Sequence, residues 1–396
     1  MDEFASITLW TGRRQSAEWQ RARGVSLGIG DDAAAVDITG ASDGILGAKH
    51  MVLAVDTMVE SVHFSGETMR DEDVGYKALA ANVSDIAAMG GVPLHALVSV
   101  AVPKSYGPER MRRLYDGLYE CAERYGVAVI GGDTTSSPDR LVISVTLTGT
   151  VEAGREVRRS GAKPGEAVFL TGAVGLSAAG LHLLLAEAGG GGAAGSAKQR
   201  LQAGDVEAGH VAPRAEAEHV VPRVEAGYLE LIQGQGQDGE RETGQSRAAL
   251  VAAHRRPSPS VRAGRLLLEH GSSSLNDVSD GVASEAWEIA EASGLRLVLR
   301  ESRLPLDDAL KTYGADASLN PLEWMLYGGE DYVLLGTIAK DKLEEVREVF
   351  REEGLSFFEI GETLEGSVGV ELVRESAQSG DERNIPVAKR GYNHFG

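Results

Sequence analysis

The chain has 396 residues, and its 59 acidic against 39 basic residues give a net charge of -20. This charge opposes non-specific binding to nucleic acid or anionic membranes, and the single Cys121 excludes a disulfide framework and a cysteine-based zinc site. The length suggests two or three domains. Because there is no apolar run of about 18 residues and no signal-like N-terminus, the sequence predicts a soluble, cytoplasmic protein.

The first part of the chain alternates between strand and helix patterns. Strands are predicted at 51–55, 96–102, 127–130 and 141–151, and helices at 73–89 and 108–125. Pro108 suits a first helical turn and Gly126 suits a helix stop. The order of these elements predicts an α/β or α+β domain over residues 1–151.

A second domain is predicted over residues 152–396. Its strands are expected at 167–171, 295–299 and 332–338, and its helices at 176–188, 261–270, 282–293 and 340–353. Residues 189–250 contain twelve Gly and one aromatic residue. This composition predicts a low-complexity insertion, with a charged surface helix inside it as the alternative.

Runs with an aspartate recur in six places, most of them beside glycines or at predicted strand ends, while the run 82–85 lies in the predicted helix 73–89. The six runs are 28–32, 55–57, 82–85, 131–135, 276–281 and 328–331. Each alone is best explained by turn or helix-cap residues, but their recurrence favours one site at the ends of strands. Five or six convergent carboxylates need cations. Because the ligands would be oxygen atoms only, the pattern predicts a nucleotide site with several Mg²⁺ ions.

Two further features keep two interpretations each, and a third has one. Gly172–Leu176 follows a strand and opens a helix, so its backbone N–H groups could cradle a phosphate, although many such turns are glycine-rich. Lys77 lies eight residues before Asp85 and could contact phosphate or form an ion pair, of which the ion pair is favoured. Cys121 falls in a helical apolar pattern and is expected in the core.

Long motifs then point to a family. They are GIGDDAAAV (28–36), AVDTMVESVHF (54–64), YKALAANVSDIAAMGGVP (76–93), GGDTTSSP (131–138), RSGAKPGEAVFLTG (159–172), DVSDG (277–281) and GGEDY (328–332). Through them the chain resembles the thiamine-monophosphate kinase family, in a superfamily shared with aminoimidazole ribonucleotide synthetase, over residues 24–188 and 254–396. The resemblance implies a two-domain α/β (α+β) PurM-like fold. It also implies a homodimer in which the N-terminal domains form a β-barrel.

The resemblance further implies that ATP donates its γ-phosphoryl group to thiamine monophosphate. Asp32, Asp133 and Arg159 would be catalytic, and Asp31 would orient the loop. The nucleotide would contact Gly132, Asp133, Arg159 and Ser279. The thiamine phosphate would face His63, Glu330 and Tyr392. Mg²⁺ ions would be held by Asp32, Asp56, Asp85, Asp133, Asp277 and Asp280.

Two departures and two alternatives accompany this interpretation. Ala54 and Val55 stand where the family often has hydroxyl residues, which puts one Mg²⁺ position in doubt, and the insertion is longer than the family usually carries. His63 could instead be a satisfied structural histidine. The chain could be a sister ATP-dependent synthetase of the same superfamily, or a non-catalytic nucleotide-binding relative.

Overall fold

The computed structural model describes residues 18, 21, 25–27, 31–37, 49–189, 239–375 and 381–390 of the chain. Over these ranges the chain forms two sheets with helices packed against them, so the predicted two-domain α/β (α+β) class is confirmed. Within the same ranges, no helix combines the length and the apolar character needed to cross a membrane.

The first domain is built on a six-stranded sheet in the order β1-β2-β3-β6-β4-β5. Its strands are β1 (Val25–Leu27), β2 (Ala34–Asp37), β3 (Lys49–Val59), β4 (Val92–Pro103), β5 (Ala128–Ser137) and β6 (Val142–Glu152). Neighbours are antiparallel except β4 and β5, which are parallel. Side chains alternate between the two faces of a strand. Ala54 and Val98 therefore lie on a buried inner face, while Val55 and Leu97 are exposed on the outer face.

Two helices cover the inner face, α1 (Asp71–Ala88) and α2 (Pro108–Tyr125). The predicted limits of α2 are confirmed, with Pro108 in the first turn and Gly126 as a left-handed C-cap at φ 68°. The helix backbones approach closely at Gly75, where a Cβ would stand 1.8 Å from the carbonyl oxygen of Leu114. Cys121 is fully buried, as expected for a core residue, and burial raises the pKa of its thiol to about 12.

The second domain is built on a seven-stranded sheet in the order β13-β12-β9-β11-β7-β10-β8. Its strands are β7 (Ala167–Leu170), β8 (Ser274–Asp277), β9 (Arg296–Arg300), β10 (Leu334–Ile338), β11 (Phe358–Leu364), β12 (Gly369–Glu375) and β13 (Glu382–Pro386). Its helices are α3 (Leu176–Ala188), α4 (Gly239–Arg255), α5 (Val261–Glu269), α6 (Val282–Ser293), α7 (Asp308–Asp316), α8 (Pro321–Tyr327) and α9 (Leu343–Glu352).

The core of the first domain continues onto one face of the second sheet. Ala167 and Phe169 of β7 belong to the core that α1 and β3 also line, whereas Val168 and Leu170 point to a second core against α6. The alternation along β7 therefore ties the two domains together. This shared core fixes the end of β8 next to α1.

Two predictions about elements are wrong, and in a third case the structure shows the stated alternative. Asp56 does not end its strand, because β3 continues to Val59, and the glycine-aspartate run 131–135 lies inside β5 rather than after it. Helix α4 replaces the end of the predicted insertion, as the helix alternative allowed, and its Leu250 is fully buried. The rest of that segment, residues 190–238, lies outside the described residues.

Candidate active site

Three predicted aspartates meet where the two domains join. Asp32 lies in the turn before β2, Asp85 near the end of α1, and Asp277 at the end of β8; one carboxylate oxygen of each lies within 4.8 Å of the others. The Asp32 side chain is 1% exposed, and its Oδ2 has no hydrogen-bond partner. The Ser84 hydroxyl donates to Asp277 Oδ2 at 2.6 Å, which holds that carboxylate across the domain junction.

The cluster is strongly acidic and poorly solvated. Burial, together with the charges of neighbouring aspartates, raises the pKa values of Asp85 and Asp277 well above their usual range. Asp56 hydrogen-bonds to Asp85 through its side chain, and burial raises its pKa as well. Its backbone N–H donates to Asn82 Oδ1 at 3.1 Å. Carboxylates in this setting become fully ionised only when a cation neutralises them.

The residues present fit a hard divalent cation. Mg²⁺ prefers carboxylate oxygens and commonly bridges them to phosphates. Asp32 has one buried carboxylate oxygen without a hydrogen-bond partner, and its carboxylate lies close to those of Asp85 and Asp277. An unsatisfied buried acceptor of this kind is costly unless a ligand completes it. Asp32, Asp85 and Asp277 could therefore hold such an ion.

Arg159 supplies the positive charge beside the cluster. It lies in a short 3₁₀ turn, and its Nη2 donates to Asp32 Oδ1 at 2.5 Å. Its backbone N–H lies 3.3 Å from Asp31 Oδ2, and Asp31 Oδ1 also accepts from the Asp32 N–H at 3.1 Å. Burial, reinforced by the charge of Asp32, raises the pKa of Asp31 to about 7. Asp31 thus joins the loop before β2 to the Arg159 turn.

The structure does not bring Asp133 into the cluster. Asp133 pairs with Ser99, which pairs with Ser144, which in turn pairs with Thr57. Residues paired directly across a sheet point to the same face, and Thr57 Oγ1 indeed donates to Ser144 Oγ at 2.9 Å. Asp133 is therefore exposed on the outer face, on the opposite side from Asp56.

Three other predicted residues are not members of the cluster. Gly132 leaves no room for a side chain, since a Cβ would stand 1.8 Å from the Val98 carbonyl oxygen. Ser279 is half-buried, and its carbonyl oxygen accepts the N–H of Glu330 at 2.7 Å. Asp280 is half-buried, and its backbone N–H donates to Glu285 Oε1 at 2.9 Å.

The three residues predicted to face the thiamine phosphate have different surroundings in the structure. Glu330 is anchored by the fully buried Lys77, whose Nζ donates to Glu330 Oε2 at 2.7 Å; Lys77 thus forms an ion pair, as favoured, but with Glu330 of the second domain and not with Asp85 on its own helix. Its side chain is 31% exposed, and its backbone sits in the left-handed region at φ 66°. His63 Nδ1 accepts the Val59 N–H at 3.0 Å. Tyr392 lies outside the described residues.

The loop Gly172–Leu176 does not offer a free phosphate cradle. Asp331 accepts hydrogen bonds from the Gly175 N–H at 2.5 Å and from the Ser177 N–H at 3.0 Å. These donors belong to the N-terminus of α3, the part of a helix that binds anions. The protein's own carboxylate therefore occupies that position.

The two residues before Asp56, which stand where the family often has hydroxyl residues, lie on opposite faces of β3. Ala54 is buried on the face that carries Asp56, whereas Val55 is 63% exposed on the outer face. Of these two residues, only Ala54 lies on the face of β3 that carries Asp56. The hydroxyl group that the family often has at position 54 is therefore missing beside the cluster of the same chain, whereas Val55 points away from it.

The sequence argument missed several side chains that support the site. Asn82 and Ser84 lie in quoted motifs, but their polar side chains are fully buried and bond to the Asp56 N–H and to Asp277. Buried supporting roles also belong to Asn276, Glu285 and Glu288. Polar residues inside an otherwise alanine-rich helix were the available signal for the first two.

Comparison with known proteins identifies the family. The model of the AIR synthase related protein N-terminal domain matches residues 30–151, and that of the C-terminal domain matches residues 226–373. A thiamine-monophosphate kinase of Bacillus subtilis (strain 168) is 37% identical over 403 aligned residues, covering 100% of both chains. The chain belongs to the thiamine-monophosphate kinase family.

Further members of the thiamine-monophosphate kinase family agree with this assignment. The enzyme of Aquifex aeolicus (strain VF5) is 31% identical, over 85% of this chain and 90% of its own. The solved structure of AaThiL complexed with AMPPCP and TMP superposes with a TM-score of 0.70 at 29% identity, covering 100% of this chain and 97% of that one. The predicted family and PurM-like architecture are thereby confirmed.

Proposed function

We propose that this protein transfers the γ-phosphoryl group of ATP to thiamine monophosphate, giving thiamine diphosphate. The observation that carries the proposal is the cluster of Asp32, Asp85 and Asp277 beside Arg159, on a chain that aligns over its full length with thiamine-monophosphate kinases. The AMPPCP and TMP bound by AaThiL correspond to the two substrates proposed here.

The reaction suits these residue types. The attacking group is a phosphate oxygen that is already ionised, so no strong base is required. Two anions must be brought together in line while their charge is neutralised. Asp32, Asp85 and Asp277 would hold Mg²⁺, which supplies positive charge to the phosphates when bound. Arg159 adds the protein's own cation, and no phosphoenzyme is expected.

The finer assignments remain proposals. Gly132, Asp133, Arg159 and Ser279 would contact ATP, and Asp56, Asp133 and Asp280 would add metal ligands. His63, Glu330 and Tyr392 would face thiamine monophosphate. Glu330 has the best support among these, because the buried Lys77 fixes one of its oxygens while the side chain stays partly open to solvent. A cytoplasmic location stays a prediction of the sequence.

A homodimer would explain the position of Asp133. The outer face of the first sheet exposes Val55, Leu97 and Ile130, which are 63%, 46% and 61% exposed. An exposed apolar sheet face of this kind marks an interaction surface. If two copies pair through it, Asp133 of each would lie at the junction and could serve the neighbouring site. Leu97→Lys should give a monomer by light scattering, whereas an unchanged mass would exclude this face.

A product assay tests the activity. The protein is incubated with ATP, Mg²⁺ and thiamine monophosphate, and thiamine esters are separated by chromatography with fluorescence detection. Parallel samples contain thiamine instead of the monophosphate, or a chelator. Thiamine diphosphate formed only from the monophosphate, and only with metal, supports the proposal. Consumption of ATP without that product would point to a sister synthetase.

A further inference from the structure

Glu288 of α6 reaches the site through Arg159. Its Oε2 lies 3.1 Å from Arg159 Nη1 and also accepts a 2.8 Å hydrogen bond from Asn276 Nδ2. The Arg159 Nε–H donates to Asn276 Oδ1 at 3.2 Å, which closes a triangle of three side chains. Glu285 Oε2 accepts a second bond from Asn276 Nδ2 at 2.6 Å and so fixes the orientation of that amide.

The triangle leaves little freedom to the guanidinium group. Two of its nitrogens are held by Asn276 and Glu288, and the third, Nη2, contacts Asp32. A guanidinium is planar and rigid, so fixing two nitrogens also fixes where the third points. The Glu288 side chain is 8% exposed and the Arg159 side chain 14%, so solvent screens the pair only weakly.

Glu288 and Asp32 neutralise Arg159 from two sides, but they differ in what else they do. Asp32 belongs to the aspartate cluster, where a bound cation competes for its carboxylate. Glu288 is not a member of that cluster, so a cation bound there would leave the 3.1 Å contact between Glu288 Oε2 and Arg159 Nη1 in place. We propose that Glu288 is a positioning residue that keeps Arg159 aimed at the nucleotide phosphates once Asp32 binds metal. This inference rests on the proposed function, which places those phosphates beside Arg159.

The test is a matched set of variants in the full chain. Glu288→Gln keeps the shape but removes the charge, and Glu288→Asp keeps the charge but withdraws it by one methylene. Glu291→Gln is the control, because Glu291 lies on the same helix and pairs at the surface with Lys389. Titration calorimetry measures binding of the non-hydrolysable analogue AMPPCP with Mg²⁺, and steady-state kinetics gives KM for each substrate.

We expect Glu288→Gln to weaken AMPPCP binding and to raise the KM for ATP by about tenfold, as for loss of one charged contact. For Glu288→Asp, the AMPPCP affinity and the KM for ATP should lie between those of Glu288→Gln and those of the original protein. Glu291→Gln should leave both values unchanged, and the KM for thiamine monophosphate should not change. In an Arg159→Met background the Glu288→Gln effect should disappear, because the residue acts through Arg159.

Three results would overturn the inference: unchanged AMPPCP affinity, an equal rise in KM for both substrates, or an effect that persists without Arg159. If Glu288→Gln lowers the melting temperature sharply, the AMPPCP affinity of Glu288→Asp is used instead to decide whether the inference holds. Because analogue binding needs no turnover, the test stands even if the original protein fails the product assay, and the two failures remain distinguishable.

Discussion

Removing one charge from the aspartate cluster should stabilise the metal-free protein and abolish its response to magnesium. Asp85→Asn is the most informative change, because Asp85 is hydrogen-bonded to Asp56 and lies within 4.8 Å of carboxylate oxygens of Asp32 and Asp277. The asparagine amide can still bond to Asp56, so the change mainly removes charge.

The expected size follows from this spacing. Two unit charges 4.8 Å apart repel by roughly 3.5 kcal/mol at an effective dielectric constant of about 20. The raised pKa values of Asp85 and Asp277 show that the folded protein already avoids part of this repulsion by taking up protons. A net gain of about 1–3 kcal/mol in the free energy of unfolding is therefore expected near neutral pH.

The assay is urea denaturation with a chelator and then with Mg²⁺. The original protein should gain stability from the metal, and Asp85→Asn should gain little. Asp116→Asn on α2 is the control, because Asp116 is a surface residue paired with Arg112 and should change neither curve by more than about 0.5 kcal/mol. The reasoning is refuted if Asp85→Asn destabilises the metal-free protein or keeps the full response to magnesium.

Three other predictions concern the surroundings of the site. Glu330→Gln should lower the free energy of unfolding by about 3 kcal/mol or more, because it leaves the fully buried Lys77 cation unpaired. Lys77→Met should lower it less, because the Glu330 side chain is partly solvated. Urea denaturation that gave the reverse order would contradict this. Burial raises the pKa of Asp331 from 3.8 to about 7, and a carboxyl with a higher pKa in the folded state loses its stabilising contribution as the pH rises. Metal-free stability should therefore fall between about pH 4 and pH 7, and Asp331→Asn should flatten that slope in a pH series of denaturation curves. Gly75→Ala should destabilise by about 3 kcal/mol or more, since its Cβ would lie 1.8 Å from the Leu114 carbonyl oxygen, and a melting temperature close to that of the original protein would show that the helices can separate at low cost.

Local signals predicted the limits of several helices well, although α7 and α8 were not predicted. Pro108 and Gly126 mark the limits of α2, and the limits of α3 and α6 also agree with the sequence pattern. These elements carry their own start and stop residues, so no tertiary information was needed. The four-residue strand β8, by contrast, was missed, because its pairing with β10 supplies the hydrogen bonds that define it.

The candidate site was predictable in composition but not in arrangement. Asp32, Asp85 and Asp277 come together as expected. They lie in the turn before β2, near the end of α1 and at the end of β8, which are elements that the sequence pattern or its motifs already marked. Asp133 does not, because the face on which it lies depends on the sheet register, and that register shifts at Ala96 and Leu97 through an irregularity in the β4–β5 pair. A shift of one residue moves every later side chain to the other face, and no local pattern in the sequence announces it.

The contact of Asp331 with the start of α3 has a consequence for how this protein selects its ligand. Asp331 already accepts the hydrogen bonds of the N–H groups at the start of α3, so this helix N-terminus links two parts of the fold. These N–H groups are therefore not free to bind another anion. Combined with a net charge of -20, this means that an uncomplexed nucleotide meets mainly repulsion. On the proposed function, selectivity for the metal-complexed form would follow from the electrostatics of the whole chain, and turnover would depend on the supply of free magnesium.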